Sequence, residues 1–241
     1  MFLPPPPKLA DNDIHVWHAR LETFTREVSE LRSLLAADEL GRSLRLARDD
    51  DRRRFVVCRA LLRKLLESYG VAPAGRIVFA YDPQQKPALD QLQAASRIEF
   101  NVAHAGDVAV VAVARGRAVG VDVEQVRPLG DADVIVRRQF AAEERVAYES
   151  LAPALRIRAF FAIWTRKEAF LKALGTGLHR PLDSFAVSVS PDEPACLLRD
   201  DGQGQGPSPW SLEDWDWPPS HRVALAAAGA LNRTLRLTVE P

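Results

Sequence analysis

The sequence predicts an α+β protein built from two similar halves, and three observations carry that reading. Long stretches repeat apolar residues at helical spacing, while short ones alternate or run continuously apolar. The order strand, long helices, strands occurs twice along the chain. The length, 241 residues, is long for one compact core and short for two independent domains. The halves divide near Gly116, giving 1–116 and 117–241. No sequence repeat is visible, so the duplication and its pseudo-twofold symmetry rest on element order alone.

Each element has its own signal. Residues 1–12 are proline-rich and then polar, an extended arm. Ile14, Val16 and His18 alternate as in a first strand. Leu21, Phe24, Val28, Leu31 and Leu35 follow at helical spacing. After the charged run from Arg42, Phe55, Leu61, Leu62, Leu65, Leu66 and Tyr69 share a helix face, with Gly70 as the stop. Arg76–Tyr81 reads as a strand and DPQQKP as a loop. Two apolar runs then flank Arg115-Gly116-Arg117, which reads as a hairpin turn because Gly116 tolerates positive φ. Helices are expected over Asp133–Leu151 and Leu155–Leu174, the second stopping at Gly175 or Gly177. Ser184–Ser190 reads as a strand, DDGQGQGPSP as a loop, and Arg222–Ala228 and Thr234–Glu240 as closing strands. Trp210, Trp215 and Trp217 look like anchors of a loop or edge.

Composition narrows the function. Lys plus Arg and Asp plus Glu both number 32, so the net charge is zero, which argues against a general nucleic-acid binder. The 47% hydrophobic and 27% charged fractions are ordinary globular values and exclude a disordered or fibrous chain. Cys58 and Cys196 form no C-x-x-C pair, so thiolate zinc and a disulfide framework are poor readings. The start lacks a basic segment followed by an apolar one, and no apolar run reaches the ~20 residues of a membrane span. The expected location is the cytoplasm.

Two segments carry chemistry. In Gly120–Glu124 (GVDVE), strand alternation sends Val121 and Val123 to one face and Asp122 and Glu124 to the other. Two carboxylates so close repel, and a hard divalent cation offsets that cost; the plain alternative is an exposed acidic strand face. In Ala159–Gly177 (AFFAIWTRKEAFLKALGTG), Trp164, Glu168 and Lys172 fall on one helix stripe. Alone, the Glu–Lys pair is a common surface feature. Beside the acidic strand it reads as a metal carboxylate and a phosphate-binding ammonium.

Together with F-N-V-A-H-A-G at Phe100–Gly106, these segments resemble the three signature blocks of the 4′-phosphopantetheinyl transferases, of the monomeric, pseudo-dimeric type. Supporting likenesses are Arg59 ahead of a Leu-Leu pair, Lys86-Pro87, and Leu182–Val187. The resemblance implies transfer of phosphopantetheine from coenzyme A to a serine of an apo carrier protein, with Mg²⁺ as cofactor. It implies an active site in a cleft between the halves, and a monomer that contacts neither nucleic acid nor membrane. Asp122, Glu124 and Glu168 would hold the metal. Glu168 would also take the serine proton, and Lys172 would meet the phosphates. Arg59, Lys86 and His104 would contact the nucleotide end. Ala103 and Ala105 stand where the family often has serine, and Gln85 where it has glycine. No residue among Arg42, Arg45, Arg48 and Arg52 is singled out. Glu144 is left outside the site, since Glu143-Glu144 also suits a helix N-terminus. Two other readings stay open: a metal-dependent phosphohydrolase acting on coenzyme A or another nucleotide, and a non-catalytic module that binds carrier proteins.

Overall fold

The computed structural model describes residues 3–81, 86–176, 180–202 and 209–240. Asp82–Gln85 of the expected loop, Gly177, His179 and most of DDGQGQGPSP lie outside them. The chain forms two compact units, Met1–Gly116 with Arg233–Pro241, and Arg117–Asn232. Among the described residues no helix is long and apolar enough to cross a membrane.

The first unit opens with β1 (Asp13–Arg20) and continues through α1 (Val28–Arg32), α2 (Ala37–Leu44) and α3 (Asp49–Ser68). It then adds β2 (Phe79–Tyr81), β3 (Pro87–Leu89), β4 (Ile98–Ala105) and β5 (Val108–Arg115). Asp49, Asp50 and Asp51 occupy the first turn of α3, where negative charge complements the helix dipole. The helix stops ahead of Gly70, whose φ is +78°. Its buried Leu61, Leu62, Leu65 and Leu66 pack with Trp17, Phe100 and Val111 of the sheet. β4 and β5 form a hairpin closed at the Ala105↔Val108 pair, with Gly106 at φ +56°. Arg53 and Arg54 each bind the Asp107 carboxylate at 2.8 Å, tying the start of α3 to that turn.

The second unit has β6 (Val119–Gln125), α4 (Ala132–Gln139), α5 (Ala142–Ser150) and α6 (Pro153–Leu174). The strands β7 (Phe185–Val187), β8 (Leu197–Asp200), β9 (Trp210–Trp217) and β10 (His221–Ala228) follow. Its sheet runs β6-β10-β9. The core joins Phe160, Ile163, Phe170 and Leu171 of α6 to Phe185, Ala224 and Ala226. The last strand, β11 (Arg233–Val239), pairs in parallel with β1. The first unit's sheet is therefore β11-β1-β5-β4.

Four expectations need correction. The second half does not run to 241, because β11 leaves it to join β1. Arg115–Arg117 is not a hairpin turn: Gly116 has φ +60°, but β5 is already paired on both edges, by β1 and β4, and β6 pairs with β10. The stretch from Leu21 begins as a tight 3₁₀ turn, Leu21–Glu27, and only then becomes α1. The helix expected over Asp133–Leu151 is two helices broken at Phe140-Ala141, where Phe140 has extended backbone and its ring stacks on Phe160.

A repeat missed in the sequence explains how the two long helices are anchored. Ala36-Ala37-Asp38-Glu39 and Ala141-Ala142-Glu143-Glu144 each begin a short helix. Glu39 accepts the Ala36 N–H at 2.9 Å, and Glu144 accepts the Ala141 N–H at 2.9 Å. Each glutamate is also paired with a buried cation of the long helix, Arg63 at 2.7 Å and Lys167 at 2.8 Å. That cation in turn donates to carbonyls ahead of the next strand. Arg63 reaches Ala74 and Ile77, while Lys167 reaches Leu182 and Phe185. Burial of these charges is tolerable because each glutamate is paired with its cation and each cation also donates to carbonyls in the low-dielectric core.

Candidate functional site

In the second unit, α6 lies across β6, and the face of β6 toward it is Gly120, Asp122 and Glu124. Gly120 permits the approach: a Cβ there would overlap the Ala169 carbonyl and the Ala173 amide. Asp122 is 5% exposed, and its Oδ1 accepts from Lys172 Nζ at 2.6 Å. Glu124 is half-buried and is hydrogen-bonded by the Trp164 side chain. Glu168 lies between Trp164 and Lys172 on the same helix stripe. The indole of Trp164 meanwhile stacks on Phe160, ring centroids 5.9 Å apart. It is therefore both packing and site wall.

All three carboxyls are pushed above their usual range. Burial is the main cause for Asp122, opposed by Lys172. For Glu124 burial is joined by repulsion from Asp122, with Lys172, Arg127 and Trp164 opposing. For Glu168 burial is joined by repulsion from Asp122 and Glu124, with Lys172 opposing. The four groups thus form one electrostatic cluster with more negative than positive charge. Arg127, which sequence reasoning passed over, supplies a further cation beside Glu124.

The cluster's fit to a metal can be tested on its own atoms. Asp122 Oδ2 is buried and makes no hydrogen bond among the described residues. A buried carboxylate oxygen with no donor, beside two further carboxylates, matches the all-oxygen preference of a hard cation. As they stand, no three His, Cys, Asp or Glu side chains among the described residues are grouped closely enough to hold an ion. Lys172 is the group now neutralising Asp122.

The rest of the motif is structural. Arg166 is fully buried, and its Nε donates to Asp214 at 2.8 Å. Arg222 donates to the same carboxylate and to Asp216. Lys167 and Glu144 belong to the anchor described above. These pairs fix α6 on the sheet and so set the position of Glu168.

The first unit carries the other expected residues. Arg59 is buried midway along α3 and ringed by Phe55, Phe79 and Tyr81. Lys86 is half-buried just before β3, and its charge partly offsets the burial that raises the Glu99 carboxyl. His104 is exposed near the end of β4, opposite Ala109. Strand alternation puts Ala103 and Ala105 on the face opposite His104, so a hydroxyl at either would not join the imidazole. Arg42 contributes charge near Tyr81, beside Arg59. Arg52 instead donates to the Leu46 carbonyl, a local structural role.

Comparison with known proteins agrees with this division. A family model described as 4′-phosphopantetheinyl transferase, N-terminal, matches residues 16–116, and one for the 4′-phosphopantetheinyl transferase superfamily matches 118–228. The chain belongs to the 4′-phosphopantetheinyl transferases. Among relatives, the 4′-phosphopantetheinyl transferase HetI of Nostoc sp. is 34% identical, across 95% of this chain and 94% of the relative. The 4′-phosphopantetheinyl transferase psf-1 of Bacillus pumilus is 29% identical, across 83% and 82%. The 4′-phosphopantetheinyl transferase Sfp of Bacillus subtilis is 24% identical, across 81% and 83%. In this family member both units are covered by a family model, and the carboxylate cluster falls within the second.

Proposed function

We propose that the chain transfers the 4′-phosphopantetheine group of coenzyme A to a serine of an apo acyl or peptidyl carrier protein, releasing adenosine 3′,5′-bisphosphate. The observation that carries this reading is the β6–α6 contact, where Asp122, Glu124 and Glu168 face a single ammonium, Lys172. Such a cluster suits a polyphosphate substrate accompanied by a cation. We assign Mg²⁺ to Asp122, Glu124 and Glu168; when bound it neutralises charge on the diphosphate.

The protein's own groups then have distinct tasks. Lys172 exchanges its bond to Asp122 for the substrate phosphates and offsets the charge that grows on the leaving oxygen. The serine Oγ forms a bond to the phosphorus bearing pantetheine. The bond from that phosphorus to the bisphosphate oxygen breaks, and its electron pair leaves with the nucleotide. The serine proton passes to Glu168, the carboxyl that shares the α6 stripe with Lys172. Arg59, Lys86 and His104 are assigned to the nucleotide end of coenzyme A.

The test is incubation with coenzyme A, Mg²⁺ and a panel of apo carrier proteins, read by intact mass. Phosphopantetheine added to the carrier, with one bisphosphate released per transfer, is the expected result. Bisphosphate released without carrier would make the chain a phosphohydrolase. Carrier binding with no product would make it a binding module. We also propose a cytoplasmic monomer, checked by cell fractionation and sedimentation velocity.

A further inference from the structure

Lys172 makes a contact that binding phosphate does not require. Its Nζ donates to Asp122 Oδ1 at 2.6 Å. Asp122 is buried, whereas Glu124 and Glu168 are half-buried, so the ammonium sits on the most enclosed carboxylate of the cluster. Its charge also reaches the other two. It opposes the burial of Glu124 and Glu168 as well as that of Asp122. One cation is thus spread over three carboxyls. No three His, Cys, Asp or Glu side chains among the described residues are grouped closely enough to hold an ion in this arrangement. The ammonium is the cluster's own cation.

The elements that carry the two groups are locked together. α6 rests on β6 at Gly120, where a Cβ would lie 2.1 Å from the Ala169 carbonyl oxygen and 2.3 Å from the Ala173 amide nitrogen. β6 is paired with β10 from Val119 to Gln125, and Arg166 of α6 is fully buried and bonded to Asp214. What can move is the lysine side chain, a flexible stem near the C-terminal end of α6 that is 29% exposed. Release of Asp122 is therefore a side-chain rotation. A divalent ion by itself offers Lys172 no acceptor and meets the ammonium as a like charge. A polyphosphate offers it oxygens in exchange for the Asp122 carboxylate.

We propose that Lys172 is an internal counter-ion that closes the cation site of the free protein, and that the site opens when the phosphates of the co-substrate draw the ammonium off Asp122. This rests on the transferase reading above and adds a regulation to it. Cation and coenzyme A each raise the affinity for the other through one side chain, and by the same factor. Direct bonds between the cation and the diphosphate also couple the two, but they do not depend on Lys172. The share carried by the lysine is what a variant removes. Arg127 supplies the comparison: it is exposed and its charge acts on Glu124, whereas Lys172 acts on all three carboxyls.

The experiment is titration of the full chain with Mn²⁺, a paramagnetic stand-in for Mg²⁺, read by electron paramagnetic resonance of the free ion. Wild type, Lys172→Met and Arg127→Gln are compared at one pH and salt, without and with saturating coenzyme A. Coenzyme A should tighten Mn²⁺ binding to wild type by about tenfold or more, inside the ~5–150-fold range of coupled sites. Without coenzyme A, Lys172→Met should bind Mn²⁺ about tenfold more tightly than wild type, and coenzyme A should add less to it. Arg127→Gln removes one positive charge from the same cluster but leaves the Lys172–Asp122 contact in place, so its gain should be about threefold or less. Lys172→Gln keeps a neutral donor for Asp122 and should shift Mn²⁺ affinity in the same direction, which keeps the test open if Lys172→Met fails to fold. Wild-type Mn²⁺ affinity in the Lys172 variants overturns the proposal, as does an equal gain in Arg127→Gln. A wild-type protein that binds no coenzyme A, with or without Mn²⁺, would instead overturn the transferase reading, and the coupling with it.

Discussion

The two units use one anchoring device and opposite chemistry beside it. Glu39 with Arg63, and Glu144 with Lys167, tie a short helix, a long helix and the loop before the next strand by the same set of bonds. The sheets also share an order, β1-β5-β4 against β6-β10-β9. The faces under the long helices differ. In the first unit His15 and Trp17 of β1 meet the Tyr69 hydroxyl at 2.7 and 2.8 Å, a neutral and buried arrangement. In the second, Asp122 meets Lys172, with Glu124 and Glu168 alongside. An architecture that can bury charge at its anchor can thus leave the neighbouring face either neutral or charged. What decides is whether the strand under the helix carries aromatic rings or carboxylates.

The sharpest way to break the comparison is to alter equivalent helix positions. Glu168 follows the buried cation Lys167, and Lys64 follows Arg63. Glu168→Gln should slow single-turnover transfer by ~10²–10⁴, while Lys64→Gln leaves it near wild type. Lys172→Ala should weaken coenzyme A binding and slow transfer together, because its charge serves both the ground and the transition state. Rapid transfer by Glu168→Gln would exclude it as the proton acceptor.

The shared device can be tested directly. Glu39→Ala and Glu144→Ala each strand a buried cation and a helix N-terminus, so each should cost about 3–5 kcal/mol in urea unfolding. A large cost in one unit and none in the other would show that the resemblance of the anchors is only geometric.

Acid should separate the units. His18 is buried in β1, and burial lowers its pKa to about 4, with the Leu237 carbonyl opposing and Arg236 adding to the shift. Folding therefore favours the neutral ring. Its contribution is fully present above pH ~6.5 and falls away by about 3 kcal/mol as pH drops toward 4. The raised carboxyls of the second unit act in the opposite sense, since protonation relieves their burial. Unfolding monitored between pH 7 and 4 should show the loss in wild type, and His18→Gln should flatten it.

The smallest effect concerns the partner. Arg137 and Arg138 end α4, and Arg145 follows on α5, in the charged unit alone. Charge reversal at Arg137 and Arg138 should raise KM for an acidic carrier protein severalfold at low salt and leave coenzyme A affinity unchanged. A carrier KM that does not move would remove these residues from the interface.

Much of this was legible in the residues. The α3 and α6 stretches declared themselves by apolar periodicity and by glycines just past their ends. Spacing put Asp122 with Glu124 on one strand face and Glu168 with Lys172 on one helix stripe, while their proposed roles came from the resemblance to the transferase blocks. The β5–β6 connection was misread because pairing belongs to strand edges, and nothing local states that β5 has both edges taken. The Ala-x-x-Glu repeat was on the page but has no force until its glutamates are seen to meet Arg63 and Lys167, 24 and 23 residues away.

By itself the sequence determined the α+β class, the division beside Gly116 and which acidic and basic residues share a strand or helix face. These follow from local propensity and side-chain spacing. Tertiary structure alone decided which charges in Trp164–Lys172 are spent in the core and which join the carboxylate cluster. Arg166 and Lys167 turn toward Asp214 and Glu144 and are consumed by the core, whereas Glu168 and Lys172 turn toward β6. It also decided that β11 would leave its own unit for β1. The reason is common to both: a side chain's chemistry depends on the partners that folding brings from distant sequence, and spacing fixes only which neighbours share its own face.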